Sequence, residues 1–366
     1  MELASLLQEM VDRGASDLHL KAGRPPAFRV QGDIVFMEEA DLDVNSMKVL
    51  LKQVLDDKQS QHFEEEHEVD LALSMPGLGR FRGNVFMQRS STAMVFRHIP
   101  TEVPDLESLN LPEVTAKLAE ISRGLVLVTG MTGSGKTTTL AAMVKRILAT
   151  RPARVMTVED PVEFLHMDGL GLITQREVGS DTGSFHTALR YVLRQDPDVL
   201  VIGEIRDSET MRVALTAADT GHLVLSSLHT TDAIQTINRV LSLYPPDQHT
   251  EVRYLLAHNL KGIISMRLVR GAEGGARLPA TEILVGCSTV RDYLLDPTKL
   301  AAVRDFLVEG QAVYGTRTFD MSLLELCQSG KVELEEALRH ATHPDEIRLK
   351  LMGIEGAEGL MKAFKE

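Results

Sequence analysis

The chain has no tryptophan and only two cysteines, Cys287 and Cys327, which lie far apart. Two lone thiols without a C-x-x-C pair exclude a disulfide framework and a cysteine-based zinc site, and they fit a reducing compartment. Long apolar runs are also missing, and none approaches the roughly 18–20 residues that a membrane helix needs. The opening "MELASLLQEMVDRG" carries acids and no extended apolar core, so it is not read as a signal peptide. Positive charge is in deficit: 39 Lys and Arg stand against 52 Asp and Glu, for a net charge of -13. That balance weighs against nonspecific binding to nucleic acid or to an anionic membrane. The expected setting is therefore cytoplasmic, with any membrane contact made through a partner. No fixed-period repeat or low-complexity tract is present. With 43% hydrophobic and 25% charged residues over 366 positions, the composition is that of a globular chain of two or three domains at roughly 100–200 residues each.

Residues 1–98 read as an α+β domain. Leu3, Leu6, Leu7, Met10 and Val11 recur at helical spacing, and residues 46–60 form a second helical stretch. "SDLHL", "PAFRVQGDIVFM", "EVDLALSM", "RFRGNVFMQR" and "TAMVFRHIP" alternate or carry turn signals and read as strands. Residues 99–112, "IPTEVPDLESLNLP", lose all period and predict a linker. Beyond it, "GLVLVTG", "RVMTVED", "DVLVIGEI" and "HLVLSSLHT" are apolar strands separated by helices or loops, the pattern of a parallel α/β core over 113–286. "GAEGGA", residues 271–276, reads as a surface loop, and 287–366 as a mostly helical segment.

Gly130-x4-Gly135-Lys136-Thr137 sits between an apolar strand and a run of good helix formers. Glycines allow the backbone to curl its N–H groups toward phosphate oxygens, and the helix start adds its positive end. Lys136 then reaches the β- and γ-phosphates, and Thr137 holds Mg²⁺. The predicted nucleotide set is Gly130, Thr132, Gly133, Ser134, Gly135, Lys136, Thr137 and Thr138, with ATP and Mg²⁺ as cofactors.

Two acid clusters end apolar strands. "VLVIGE" finishes in Glu204, placed to order the metal and its waters. "RVMTVEDPVEFLH" finishes in Glu159, Asp160 and Glu163, which would repel one another without a cation nearby. Hydrolysis needs one group for water and one for the metal, and two clusters supply both. His222 and His229 stand seven apart, so one continuous strand would point them to opposite faces; His229, at the strand's end, is the better placed. Arg80 and Arg82 share one strand face, and Arg97 lies on another strand. They serve either as ion-pair partners on the sheet or as arginine fingers toward a neighbouring subunit's phosphate.

"GMTGSGKTTTLAAM", "TVEDPVEFLH", "LRQDPDVLVIGEIRD" and "TGHLVLSSLHTTDA", in this order, resemble the phosphate loop, Asp box, Glu-ended second acid motif and His box of the secretion-superfamily ATPases. With "SDLHL" and "GRFRGNVF" the whole chain is similar to their type IV pilus retraction (PilT-like, twitching-motility) branch. The resemblance implies a PAS-like N-terminal domain, a RecA-like phosphate-loop core and a homohexameric cytoplasmic ring. It implies ATP-powered pilus retraction acting on the pilus machinery through an inner-membrane platform protein, with no nucleic acid. By motif it makes Glu163 the residue that polarises water, sets Glu204 on the metal side, and gives His229 with His222 the γ-phosphate. Arg82 and Arg97 match N-domain arginines that reach a neighbour's nucleotide. The zinc cysteines frequent in pilus-extension ATPases are absent, which favours retraction. "STVRDYL", residues 288–294, stands where that branch usually has A-I-R-N-L-I, and "YGTRTFD" where it has G-M-Q-T. An accessory retraction paralogue and an assembly or type II secretion engine are therefore the alternatives, ahead of a RecA-like nucleic-acid motor.

Overall fold

The structure, a computed structural model, describes residues 2–30, 32–99, 102–272 and 277–351. The tip of the "GAEGGA" loop (273–276), two positions of the expected linker (100 and 101) and residues 352–366 lie outside the described residues. The chain divides into two compact units: one runs to Val103 and takes in Glu163–Leu165, and the other comprises Pro104–Val162 and the chain from His166 onward.

The first unit is built on six strands: β1 (Asp17–Lys21), β2 (Ala27–Val30), β3 (Asp33–Phe36), β4 (Glu68–Met75), β5 (Gly79–Gln88) and β6 (Ser91–Ile99). They form one antiparallel sheet in the order β3-β2-β1-β6-β5-β4. The predicted helical period at the start becomes the helix Leu3–Asp12, whose Leu3, Leu6, Leu7 and Met10 are buried. They join Met47 and Leu50 from the helix Val44–Val54 and the sheet residues Phe28, Phe81 and Phe96 in one core. Burying each such side chain contributes about 1.5–3 kcal/mol, which is what fixes which face of the sheet is inside.

One helical expectation is corrected. The stretch 46–60 is not continuous but two helices, Val44–Val54 and Asp57–Glu66. Asp56 ends the continuity: its carboxylate accepts from Gln59 N at 2.8 Å while the Gln59 side chain accepts from Asp56 N at 3.1 Å. This reciprocal pair satisfies two N–H groups that a new helix start leaves open.

The second unit carries a seven-stranded sheet of β7 (Gly124–Gly130), β8 (Arg154–Glu159), β9 (Leu172–Glu177), β10 (Val199–Ile202), β11 (Leu223–Leu228), β12 (Leu260–Arg270) and β13 (Arg277–Val285). The order is β13-β12-β7-β11-β10-β8-β9, parallel throughout except for the β12–β13 pair. β7, β10 and β11 are buried along their whole length. Full burial is why they read as unbroken apolar runs, since helices pack on both faces of a parallel sheet. One face packs against the helix Lys136–Thr150 through Leu140, Met143, Val144 and Ile147. The other packs against helices contributing Leu189, Met211, Leu215 and Ile237. After β13 the described chain is helical, including Ser288–Leu295, Phe319–Gln328 and Pro344–Leu351. None of the described helices is long and apolar enough to cross a membrane.

Candidate active site

In a parallel sheet every strand ends on the same edge, so residues just past adjacent strands are neighbours. Register fixes which ones meet. Thr129 of β7 pairs with Leu228 of β11, Ser226 of β11 with Ile202 of β10, and Ile202 with Val158 of β8. The next residues out are Gly130, His229, Gly203–Glu204 and Glu159. Four motifs scattered over a hundred residues of sequence thus converge on one edge.

The phosphate loop begins with Gly130 at φ 149°. A Cβ there would lie 2.4 Å from Ser134 Oγ and 2.6 Å from the Met266 carbonyl oxygen, so only glycine fits. Gly135, at φ 94°, is the N-cap of the helix Lys136–Thr150 and offers no side-chain cap. The N–H groups of that helix's first turn are therefore open to an outside acceptor, and the helix dipole favours an anion there. Lys136 is buried, and its Nζ donates to the carbonyls of Gly130 at 2.9 Å and Met131 at 3.0 Å. Ser134 Oγ is buried in the loop without a hydrogen-bond partner. An orphaned hydroxyl, an uncapped helix start and a lysine folded over two carbonyls of the loop fit a phosphate group. Thr132 and Gly133 lie exposed at the crest, and Thr137 and Thr138 are half-buried on the first helical turn.

Glu204 follows β10, and its backbone is pinned from β11. Ser226 Oγ donates to Ile202 O and Ser227 Oγ to Gly203 O, both at 2.7 Å. The carboxylate is 22% exposed and receives Arg206 at 2.9 Å and His229 Nε2 at 3.2 Å. Burial works against its ionisation, but the hydrogen bond and charge of Arg206 and the nearby His229 outweigh burial and hold its pKa below the ordinary glutamate value. An ionised carboxylate at the tip of a buried strand, beside a phosphate loop, is suited to a metal and its waters.

Glu159 is held by Thr157 Oγ1 at 2.6 Å and by Gln175 Nε2 at 3.1 Å. The chain then turns at Pro161, and the Val162 N–H donates to Glu177 Oε2 at 2.9 Å. Glu177 is a buried carboxylate at the end of β9 that also takes a hydrogen bond from Ser180. It fixes the backbone immediately before Glu163, which is exposed. Sequence reading did not single out Gln175 or Glu177; their only signal is polarity at the end of a strand, "TQRE".

His222 is not brought to this edge. It precedes β11, whereas His229 follows it, so extended chain at ~3.3 Å per residue sets the two about 23 Å apart. His222 Nδ1 instead lies 2.9 Å from Ala217 O and 3.2 Å from Thr220 Oγ1, holding the turn that enters the strand. Within a single chain the structure does not bring the two histidines together: a buried six-residue strand separates them.

In the first unit, Arg82 of β5 and Arg97 of β6 are directly paired across the sheet and both are exposed. Like charges opposite each other repel, and the nearby anion is Asp17, which accepts from Arg97 Nε at 2.8 Å. Asp17 is itself buried, which raises its pKa, but bonds from Ser16 and Arg97 overcome this and keep it below the ordinary aspartate value.

With that geometry established, comparison with known proteins identifies the company this chain keeps. The family model described as type II/IV secretion system protein matches residues 2–293. The type IV pilus retraction ATPase PilT of Pseudomonas aeruginosa is 42% identical over 345 residues, covering 94% of this chain and 99% of that protein. The type IV pilus ATPase PilU of the same organism is 39% identical over 353 residues, 96% of this chain and 91% of that one. A crystal structure of the pilus retraction motor PilT with bound ADP superimposes with a TM-score of 0.87 at 40% identity, covering 94% of this chain and 98% of that one.

Proposed function

The chain belongs to the type II/IV secretion system protein family, and from that premise we propose that it is an ATPase whose turnover drives type IV pilus retraction. The observation that carries this reading is end-to-end similarity to a retraction ATPase, 42% over 94% of the chain. It is joined by a site edge on which Gly130, Lys136, Glu204 and His229 converge.

In this reading the loop N–H groups and Lys136 bind the β- and γ-phosphates, with Thr132, Gly133, Ser134, Gly135 and Thr138 shaping the cradle. Thr137 and Glu204 would hold Mg²⁺, which when bound neutralises phosphate charge. Glu163 orients and deprotonates the attacking water. His229 touches both sides of the event: its exposed ring can meet the γ-phosphate, and its Nε2 lies 3.2 Å from Glu204. Loss of the γ-phosphate would thus be felt at Glu204 and Arg206 and along β10. Arg82 and Arg97 act as fingers toward the nucleotide of an adjacent subunit in a homohexamer, which stabilises charge on the transferring phosphoryl group. Force passes to the pilus machinery through a membrane-embedded platform protein, from the cytoplasmic side.

Deleting the gene in its source organism tests this reading. Cells are expected to keep or accumulate surface pili and to lose twitching; bald cells would sink it. The accessory reading draws on the near-equal likeness to PilU, 39% over 96% of the chain. It predicts that deletion weakens twitching without abolishing it.

A further inference from the structure

The four residues His229 to Asp232 connect β11 to the helix Ala233–Ser242, and they carry the histidine at the site. Their near end meets Glu204 through His229. Their far end is held by a buried acid on another strand: Ala233 N donates to Glu282 Oε1 at 2.9 Å. Glu282 lies on β13, separated from β7 by β12, and is only 9% exposed. Between the two ends the segment is cross-braced. Thr230 Oγ1 and Thr236 Oγ1 are 2.7 Å apart, Thr236 Oγ1 donates to Asp232 O at 2.7 Å, and Asp232 caps the helix by accepting from Gln235 N at 2.7 Å. Ala233 is fully buried, so without Glu282 its N–H would have no partner.

We propose that Glu282 is a positioning residue for ATP hydrolysis: by holding the Ala233 N–H it sets the His229–Ala233 segment, and through that segment the approach of His229 to Glu204 and the γ-phosphate. This rests on the ATPase reading given above.

The ionised form of Glu282 is costly, which is itself informative. Burial pushes its pKa up to about 7; the Ala233 N–H lowers it, the Asp232 carboxylate raises it, and Arg267 and Arg304 lower it. A carboxyl raised above its unfolded value binds a proton more tightly in the fold. The stability it contributes is therefore present at low pH and is lost as pH rises from the ordinary glutamate value toward about 7. An uncharged, isosteric glutamine would spare the fold that loss while accepting the same N–H less strongly. Stability and positioning thus make opposite demands on this one carboxylate, and a purely structural residue would show no such opposition.

The test is steady-state hydrolysis of Mg-ATP by the full chain across pH 6 to 8, with thermal melting alongside. E282Q is expected to lower kcat about tenfold near pH 8 and less than about twofold near pH 6, with KM for ATP nearly unchanged. Its melting temperature near pH 8 should be no lower than that of the wild type. E282A, which leaves the N–H unpaired, should be slow at every pH. His229→Ala separates the two claims. If the wild type hydrolyses ATP and His229→Ala does not, while E282Q matches the wild type throughout, the positioning role is overturned and the ATPase reading stands. If the wild type has no turnover, or His229→Ala is fully active, the site reading fails and the positioning role with it.

Discussion

Single side chains decide the chemistry proposed for this chain, and Lys136 is the most exposed to test. Its Nζ already spans the carbonyls of Gly130 and Met131, so replacement by alanine removes a cation from a site built around phosphate. Lys136→Ala should lower kcat by about 10²–10³-fold, the usual cost of deleting one preorganised charge stabiliser. Thermal shift should also show the loss of the stabilisation that ATP and Mg²⁺ confer on the wild type. Asp17 makes a separate prediction about pH. Its carboxyl titrates below the ordinary value in the fold, so its contribution is present above about pH 4 and lost as pH falls through the lower folded value. Asp17→Asn should flatten the acid side of the stability profile and cost about 1–3 kcal/mol near neutrality, because the negative charge and one of the two oxygens that accept from Ser16 and Arg97 are replaced by a neutral amide with an NH2 donor. Chemical denaturation at pH 3 to 7 would measure it.

At the scale of elements, what could be read from the sequence followed burial. β7, β10 and β11 are wholly buried, and β8 nearly so, so their apolar runs and the residues ending them were visible as strands and strand tips. β9, "LITQRE", is a partly exposed edge strand with four polar or charged residues at its end, and it has no such signature. β12 follows the helix His249–Asn259 without an intervening turn, so no punctuation marks its start. The phosphate loop, Glu204 and His229 were legible because each occupies a motif. Glu177 and Glu282 were not, because each works by accepting one backbone N–H from a segment far away in sequence. The separation of His222 from His229 was implicit in their spacing, yet their roles were joined by resemblance. Two element-level changes check the account. Gly130→Ala should abolish nucleotide binding, since the added methyl would meet Ser134 Oγ and the Met266 carbonyl; isothermal titration with ADP would show no heat. Asp56→Ala should cost about 1 kcal/mol by removing the cap that separates the two helices of the first unit, measurable as a lower denaturation midpoint.

At the scale of the whole molecule, the chain belongs to the type II/IV secretion system protein family, and the motor function is proposed on that basis. The two units contribute different chemistry: an acid-and-phosphate edge on the parallel sheet, and a pair of exposed arginines on the antiparallel one. If Arg82 and Arg97 serve a neighbouring subunit, mixing inactive Lys136→Ala chains with Arg82→Ala chains should restore part of the turnover, because some interfaces would then have both halves intact. Recovery to a sizeable fraction of the wild-type rate is expected, and none at all would exclude the arginines from a neighbour's site. The central claim is tested most directly by watching fluorescently labelled pili on living cells whose only copy of this gene carries Glu163→Gln. Filaments should still extend while retraction events cease. Retraction continuing at the wild-type frequency would contradict the account.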